Sequence, residues 1–438
     1  MRRLAVFGVV LGTVLALCGP AFAGSGDQVW LKHFAGQDSC GEEARSMAVD
    51  PGSGTAYSLT RDGQCLLSQA DLIAYSPSGS RKWAVNSGQW TDRPVQVAVD
   101  PDSHDVIVAG TRDQSLLVQA WSSAGTKLWG RTYGVKNSEI DVDGLVVDGH
   151  NRVFVGATVT VNGSGNTADF LTSAYKVSTG ATLWHVRYDG TPHLSDTAVG
   201  IAIDPAKSEL YVNGRSLNGE RDQLVTIAYN STTGAKKWGK RATEDTEDNV
   251  MGLAVDTTNH QVYSLTEPQN DAEIDLHAYH STGSTAFHTT FGTGLLPEYI
   301  AVDPTNDSVY VGGWESTGGS TSQGVVVAFS ASGAERWATL DTKGTSETAD
   351  GLAVDTANHR VYLVLTDEIS QQDHAVTLGV TSSGGQAWRA TRSSPSADSG
   401  VDMGAVTADA TRGQVYVCGE EIPASSDNAS VVTIGYTA

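Results

Sequence analysis

The sequence has few cysteines, few basic residues and no long hydrophobic run beyond its first segment. Its four cysteines form no Cys-x-x-Cys or Cys-x-x-Cys-His motif, which excludes covalent haem attachment and thioredoxin-type chemistry. Lysine and arginine total 28 against 50 acidic residues, so the formal net charge is −22. Because an acidic surface repels phosphates and anionic lipid, we expect neither nucleic acid nor a membrane surface as a partner.

Motifs of common enzyme classes are also missing. The chain contains no Gly-x-Ser-x-Gly elbow, His-Glu-x-x-His zinc motif, phosphate-binding loop or EF-hand loop. No segment keeps a helical hydrophobic period, which excludes a helix bundle. Acidic residues are so numerous that no two of them can be singled out as a glycosidase pair.

The first segment, MRRLAVFGVVLGTVLALCGPAFA, has two arginines, an apolar stretch and small residues before Gly24. This pattern predicts a signal peptide over residues 1–23 and an exported chain over residues 24–438. A lipoprotein anchor at Cys18 is the alternative, although Leu17 stands where a small residue is expected. No second apolar span follows, so we expect no membrane-spanning segment.

One pattern, seen in IAVDPTNDSVYVGG from Ile300 to Gly313, recurs along the rest of the chain. It places an aspartate at the end of an apolar run, then a polar turn, then a second apolar run. The eight marker aspartates are Asp50, Asp100, Asp148, Asp204, Asp256, Asp303, Asp355 and Asp409. Their spacing of about fifty residues lies in the range of β-propeller blades.

Each repeat contains four short β-like runs separated by turn residues, and the fourth run usually carries a tryptophan. Eight such units predict an all-β, eight-bladed β-propeller with four antiparallel strands per blade. The chain stops after the third run of repeat eight, and the missing run, QVWLKHFAG, stands at the other end. We therefore expect the N-terminal strand to close the last blade and to leave no open sheet edge.

The recurring residues have structural explanations. Each marker aspartate can accept backbone N–H groups of the turn that follows it. Histidines in these turns, at His104, His150, His260 and His359, are interpreted as ordinary turn residues. Large aromatics in the outer strands can pack between neighbouring blades. This series comprises Trp83, Trp129, Trp184, Trp238, Phe287, Trp337 and Trp388.

Two stretches resemble known propellers. DGLVVDGHNRVFVGAT, with the ADFLTSAYKVSTGATLWHVRYDG that follows, resembles a unit of the secreted bacterial β-propeller repeat proteins. AYNSTTGAKKWGK is similar to the tryptophan motif of the pyrroloquinoline quinone-type propellers. The resemblance implies the fold but no particular function, because such propellers include enzymes, binders and scaffolds. The adjacent cysteine pair and haem site of the quinone dehydrogenases are absent from this sequence.

Acidic residues recur seven or eight positions before the marker aspartates, in the loops that lead into the innermost strands. In a closed ring they would surround the upper mouth of the channel, where Ca²⁺ could bind several carboxylates. The alternative is that each acid caps its own local turn. The candidate metal ligands are Glu43, Asp92, Asp141, Asp196, Asp248, Glu347 and Asp402.

Three cysteines follow the predicted signal peptide. Cys40 and Cys65 fall in two loops expected on the top face of blade one, which predicts a disulfide between them. Cys418 would then stay reduced inside a strand of blade eight. A bridge from Cys65 to Cys418 is the alternative, because blades eight and one are neighbours.

These features predict a secreted, monomeric, non-catalytic propeller that acts as a binding or interaction scaffold. Its partner would be an unknown protein or glycan, and Ca²⁺ is the candidate cofactor. A rigid rim with varied loops is sufficient for such a role. The alternatives are extracellular enzymes on the same fold, either a quinone-dependent dehydrogenase or a polysaccharide lyase or hydrolase.

Overall fold

The computed structural model describes thirteen ranges of the chain. They are residues 26–35, 41–62, 69–90, 92–162, 167–219, 221–242, 248–268, 274–292, 294–319, 321–369, 372–393, 400–422 and 429–438, without the side chains of residues 62, 89, 92–95, 248 and 268. The predicted signal peptide, Cys40 and Cys65 lie outside these ranges, so the leader and the disulfide stay predictions. Cys418 is buried and free, as predicted. Within the described ranges, no helix has the length and apolar character needed to cross a membrane.

Runs rich in β-branched and aromatic residues form thirty-two strands, which pair into eight four-stranded antiparallel sheets. The strands of blades one to four are β2 (Glu42–Val49), β3 (Ala56–Asp62), β4 (Gln69–Tyr75), β5 (Arg81–Gln89), β6 (Asp92–Val99), β7 (Val106–Arg112), β8 (Ser115–Trp121), β9 (Lys127–Tyr133), β10 (Ser138–Val147), β11 (Arg152–Val161), β12 (Ala168–Lys176), β13 (Thr182–Tyr188), β14 (Asp196–Asp204), β15 (Glu209–Asn218), β16 (Arg221–Asn230) and β17 (Lys236–Arg241). A single 3₁₀ turn over Pro205–Lys207 follows β14.

The second half of the ring continues the same order. The strands of blades five to eight are β18 (Asp248–Asp256), β19 (Gln261–Pro268), β20 (Ile274–His280), β21 (Thr285–Phe291), β22 (Leu295–Asp303), β23 (Ser308–Gly318), β24 (Thr321–Ser330), β25 (Glu335–Leu340), β26 (Glu347–Asp355), β27 (Arg360–Ile369), β28 (Gln372–Thr381), β29 (Gln386–Ser393), β30 (Gly400–Asp409), β31 (Gln414–Ile422), β32 (Ser430–Thr437) and the N-terminal β1 (Gln28–Phe34). β1 is the outer strand of blade eight and pairs with β32, with Trp30 opposite Gly435. The eight-bladed propeller and its N-terminal closure are therefore confirmed.

The hydrophobic core lies between blades. Ile107 and Val118 of blade two share one buried cluster with Val155 and Leu171 of blade three. Because both faces of a propeller sheet carry apolar side chains, each blade needs a neighbour on either side to bury them.

The outer rim repeats one contact in all eight blades. The outer-strand aromatic ring of each blade lies over a turn glycine of the next blade. The pairs are Trp30–Gly79, Trp83–Gly125, Trp129–Gly180, Trp184–Gly234, Trp238–Gly283, Phe287–Gly333, Trp337–Gly384 and Trp388–Gly26. These glycines have φ between +65° and +85°, and a Cβ there would lie 2.4–2.8 Å from the ring. Glycine is thus required twice, by the left-handed backbone and by the close approach.

The marker aspartates cap their turns, as predicted. Asp50 Oδ1 accepts from the Gly52 N–H at 2.9 Å, and Asp303 Oδ1 accepts from the Thr305 N–H at 3.0 Å. The other six markers also accept a backbone N–H two or three residues further on. All eight are buried, so these bonds satisfy carboxylates that have little access to water.

The interpretation of the turn histidines as ordinary turn residues is incomplete. Three of them hydrogen-bond through Nδ1 to the marker aspartate of the preceding blade. The pairs are His104–Asp50 at 2.8 Å, His260–Asp204 at 2.7 Å and His359–Asp303 at 2.9 Å. The fourth, His150, contacts the backbone carbonyl of Asp148 in its own blade. Three turn histidines therefore link neighbouring blades on the face opposite the loops of the predicted acidic ring.

Candidate functional site

Seven of the eight innermost strands contain a β-bulge at their middle, five residues before the marker aspartate. The bulged residue has no partner in the register of paired residues between the innermost and second strands. This extra residue bends the innermost strand at the channel wall. The seven bulged residues are Arg45, Asp143, Val199, Met251, Glu298, Asp350 and Gly404. In blade two the shift spans Asp92 to Gln96.

A cavity of about 520 Å³ lies on the ring axis. It is lined by residues from the innermost strands of blades one, two, six, seven and eight, among them the bulged Arg45 and Asp350. Tyr299 and Gln96 add polar groups to its wall. Since blades two and six are not neighbours, these side chains meet only because the ring closes.

Three bulged acids are held by hydrogen bonds from the second strand of their own blade. Thr158 Oγ1 donates to Asp143 at 2.8 Å, and Thr366 Oγ1 donates to Asp350 at 2.8 Å. Trp314 Nε1 donates to Glu298 at 3.0 Å. Their carboxyl groups are therefore oriented by the scaffold.

Burial raises the pKa of these acids, because a low-dielectric wall disfavours the charged form. The pKa of Asp143 rises to about 8, and repulsion from Asp141 adds to the effect of burial. The pKa of Asp350 rises to about 7, with burial as the main cause and Asp402 and Glu298 as repelling charges. The pKa of Glu298 is also raised by burial.

Blade eight adds two further carboxyl groups. Asp402 on β30 stands opposite Glu420 on β31, and the two repel each other. Burial raises the pKa of Glu420 to about 7, although the Arg45 guanidinium lowers it in part. Burial and repulsion from Asp373 raise the pKa of Asp402. Arg45 is the only basic side chain among the described residues that line the cavity. Among the described lining residues Asp350 is the one carboxyl group, and the nearby Glu298 and Asp402 both repel its charge.

The predicted acidic ring divides into two groups. Asp196 is buried in blade four, and its Oδ2 accepts from the Gly190 N–H at 2.5 Å. Glu347 is buried in blade seven, where it accepts from the Gly324 N–H at 2.7 Å and pairs with Arg389. Burial and the neighbouring Asp341 and Asp367 raise the pKa of Glu347. Both acids thus bond to backbone or to side chains close by.

Three other predicted ligands interact with the bulged residues or with a neighbouring acid. Glu43 pairs with Arg45, Asp141 repels Asp143, and Asp402 belongs to the blade-eight pair. Asp92 and Asp248 begin β6 and β18, and their side chains are not described. Within the described part of the chain, no three members of the predicted ring bring ligand atoms within 4.8 Å of one another, whereas Asp196 does so with Asp169 and Asp189. Calcium binding by this ring stays a prediction.

The bulged acids themselves do not belong to the series of acids predicted from the sequence. Asp143 and Asp350 are each followed by glycine, in DGLVV and DGLAV, inside a run that otherwise reads as a strand. An isolated glycine within a strand indicates a bulge. That signal could have drawn attention to these two acids, two or three residues beyond the predicted ring.

Comparisons with known proteins show the fold. No protein-family model matches the chain, and neither does any curated protein. Among solved structures, BamB from Moraxella catarrhalis is 18% identical with a TM-score of 0.52, over 94% of this chain and 99% of that one. The quinohemoprotein alcohol dehydrogenase ADHIIG from Pseudomonas putida HK5 is 13% identical with a TM-score of 0.56, over 94% of this chain and 76% of that one.

A third similar structure is Sqt1 from Chaetomium thermophilum bound to the N-terminus of the ribosomal protein L10. It is 12% identical with a TM-score of 0.61, over 93% of this chain and 98% of that one. At such low identities the likeness concerns architecture alone. The chain is thus similar in fold both to a propeller solved with a bound protein segment and to a quinohemoprotein alcohol dehydrogenase.

Proposed function

We propose that this protein is an exported, non-catalytic binding propeller whose channel receives a positively charged segment of a partner protein. One observation carries the proposal. Asp350 and Arg45 line the channel cavity. The charges of Glu298 and Asp402 act on Asp350, and those of Asp402 and Arg45 act on Glu420. A cationic group placed among them would favour their charged forms and relieve their mutual repulsion.

The rigidity of the site supports binding. Asp350 and Glu298 are held by Thr366 and Trp314, on strands that are fixed in the ring. A pre-organised acceptor loses little entropy when its ligand binds. The propeller Sqt1, solved with the N-terminus of another protein, offers a precedent for a peptide segment as the ligand.

A quinone cofactor fits this channel poorly. Pyrroloquinoline quinone carries several carboxylates, and the cavity lining presents Asp350, with the charges of Glu298 and Asp402 acting on it, against Arg45. Like charges at close range are unfavourable unless protons or cations are taken up. We therefore derive no oxidation chemistry for this chain.

The test measures binding of a lysine-rich peptide and a glutamate-rich peptide of equal length. We expect only the lysine-rich peptide to bind, about tenfold more tightly at about pH 8 than at about pH 6, because Asp350 and Glu420, each with a pKa of about 7, ionise between these values. Asp350→Asn should weaken this binding. Asp102→Asn, which removes the same charge from an exposed turn, should not.

A calcium titration separates the two possible cations. A Ca²⁺-dependent rise in melting temperature that disappears in Asp350→Asn would make the metal, and not a peptide, the ligand of the channel. Equal binding of both peptides, together with an unchanged melting temperature in Ca²⁺, would overturn the proposal.

A further inference from the structure

Blade five carries three metal-ligating side chains at register positions where blade six has apolar ones. Asp275 and His277 lie on β20, two residues apart and therefore on the same face of the strand. His288 lies on β21 directly opposite His277. One ligand atom from each of the three residues lies within 4.8 Å of the other two.

The contacts within this trio are close. His288 Nε2 lies 3.1 Å from Asp275 Oδ1. The imidazole rings of His277 and His288 are stacked with their centroids 4.3 Å apart and their planes 4° from parallel. A bound cation is favoured where two imidazoles and a carboxylate converge.

The same register positions in blade six show what the fold requires there. In blade six, Val327 faces Ala338 at the position of the His277–His288 pair. Two residues earlier on the third strand, Val325 faces Leu340 at the position of the Asp275–Thr290 pair. Apolar pairs are sufficient to build the blade. Burying Asp275 and His277 costs free energy that no packing requirement explains.

The surroundings provide a second layer of contacts and a route for an ion. Thr290 Oγ1 donates to Asp275 Oδ1 at 2.6 Å, and hydrogen bonds of this kind fix the orientation of a metal-ligating carboxylate. On the inner side, Ser264 is paired with His277, and its hydroxyl bonds Thr226 of blade four at 2.9 Å. On the outer side, the His288 side chain is one third exposed. An ion can therefore reach the trio from the rim between blades four and five.

We propose that Asp275, His277 and His288 form a site for a late first-row divalent ion, with Zn²⁺ as the expected metal. Zinc takes imidazole nitrogen and carboxylate oxygen in tetrahedral sites. Three protein ligands leave one position open, toward the exposed side of His288. Zinc there joins the two outermost strands of blade five, and the open position holds water or a side chain of a partner.

The experiment measures Zn²⁺ binding to the full mature chain, prepared without a polyhistidine tag, by calorimetry and by thermal melting. We expect a single equivalent of zinc and a melting temperature that rises with zinc concentration. The double variant His277→Val, His288→Ala copies blade six and should abolish both effects while keeping the fold. Thr290→Val should weaken binding by about tenfold, since it removes only the orienting hydrogen bond.

His185→Ala is the matched control. His185 occupies the position of His288 in blade three, opposite Ser173, where no second histidine faces it. Zinc binding should be unchanged in this variant. Zinc binding that persists in the blade-six double variant, or a wild-type chain that binds no zinc, would overturn the proposal. Neither result depends on the channel, so the proposed function is tested separately.

Discussion

The outer rim and the channel wall follow opposite rules. At the rim, one contact between an aromatic ring and a turn glycine is repeated in all eight blades, and only Phe287 departs from tryptophan. At the wall, the backbone repeats its bulge, but the bulged residue ranges from Arg45 through Met251 to Asp350 and Gly404. The fold therefore constrains the rim side chains and leaves the wall side chains open to functional demands.

The largest expected effect lies at the rim. Trp184 is buried over Gly234, and its indole N–H donates to the Ser231 carbonyl of the next blade at 3.2 Å. Trp184→Ala should lower the free energy of unfolding by about 3–5 kcal/mol, because a large buried ring is lost and a cavity remains. Denaturant unfolding followed by circular dichroism measures this loss.

Trp184→Phe separates the contribution of ring packing from that of the indole hydrogen bond. It reproduces the natural state of blade five, where Phe287 lies over Gly333. We expect a loss of about 1 kcal/mol, the contribution of one hydrogen bond. An equal loss in the alanine and phenylalanine variants would show that ring packing does not hold the blades together.

The turn histidines should give an intermediate effect. His260→Ala removes a partner from the buried Asp204 and breaks a link between blades four and five, so we expect a loss of about 1–2 kcal/mol. His150→Ala breaks a contact within one blade and should cost less. If urea unfolding gives the two variants the same stability, the inter-blade histidine link has no energetic role.

The smallest expected effect is the pH dependence of stability that arises from the wall acid Asp350. The pKa of Asp350 is about 7 in the folded chain, against an ordinary value of 3.8, so the folded state binds more protons between these values. The contribution of Asp350 to the free energy of unfolding therefore falls as pH rises from about 4 to about 7. Asp350→Asn cannot titrate and should reduce the fall in melting temperature between about pH 5 and about pH 8, by about 2 °C.

Asp102→Asn serves as the control for this measurement, since Asp102 is exposed in a turn on the opposite face. Its pH profile should match that of the wild type. A profile for Asp350→Asn that also matches the wild type would mean that the wall acid titrates normally and is not desolvated by the channel.

The sequence by itself determined the repeating parts. Strand number, the closing role of the segment around Trp30, the turn caps at the marker aspartates and the packing of the outer aromatics all follow from local patterns. Each of these features depends on residues within one repeat or on the same position in the next repeat. The periodicity of the sequence is therefore enough to predict them. The same patterns placed acids such as Asp402 near the channel.

Only the tertiary structure decided which side chains meet. Asp350 and Asp402 act on each other because two bulged strands face one axis. Asp196 belongs to the same sequence series, but it bonds the loop that leads into its own strand. His277 and His288 pair because β20 and β21 take one particular register. A bulge or a one-residue shift in register redirects every side chain beyond it, and neither leaves a strong mark on composition.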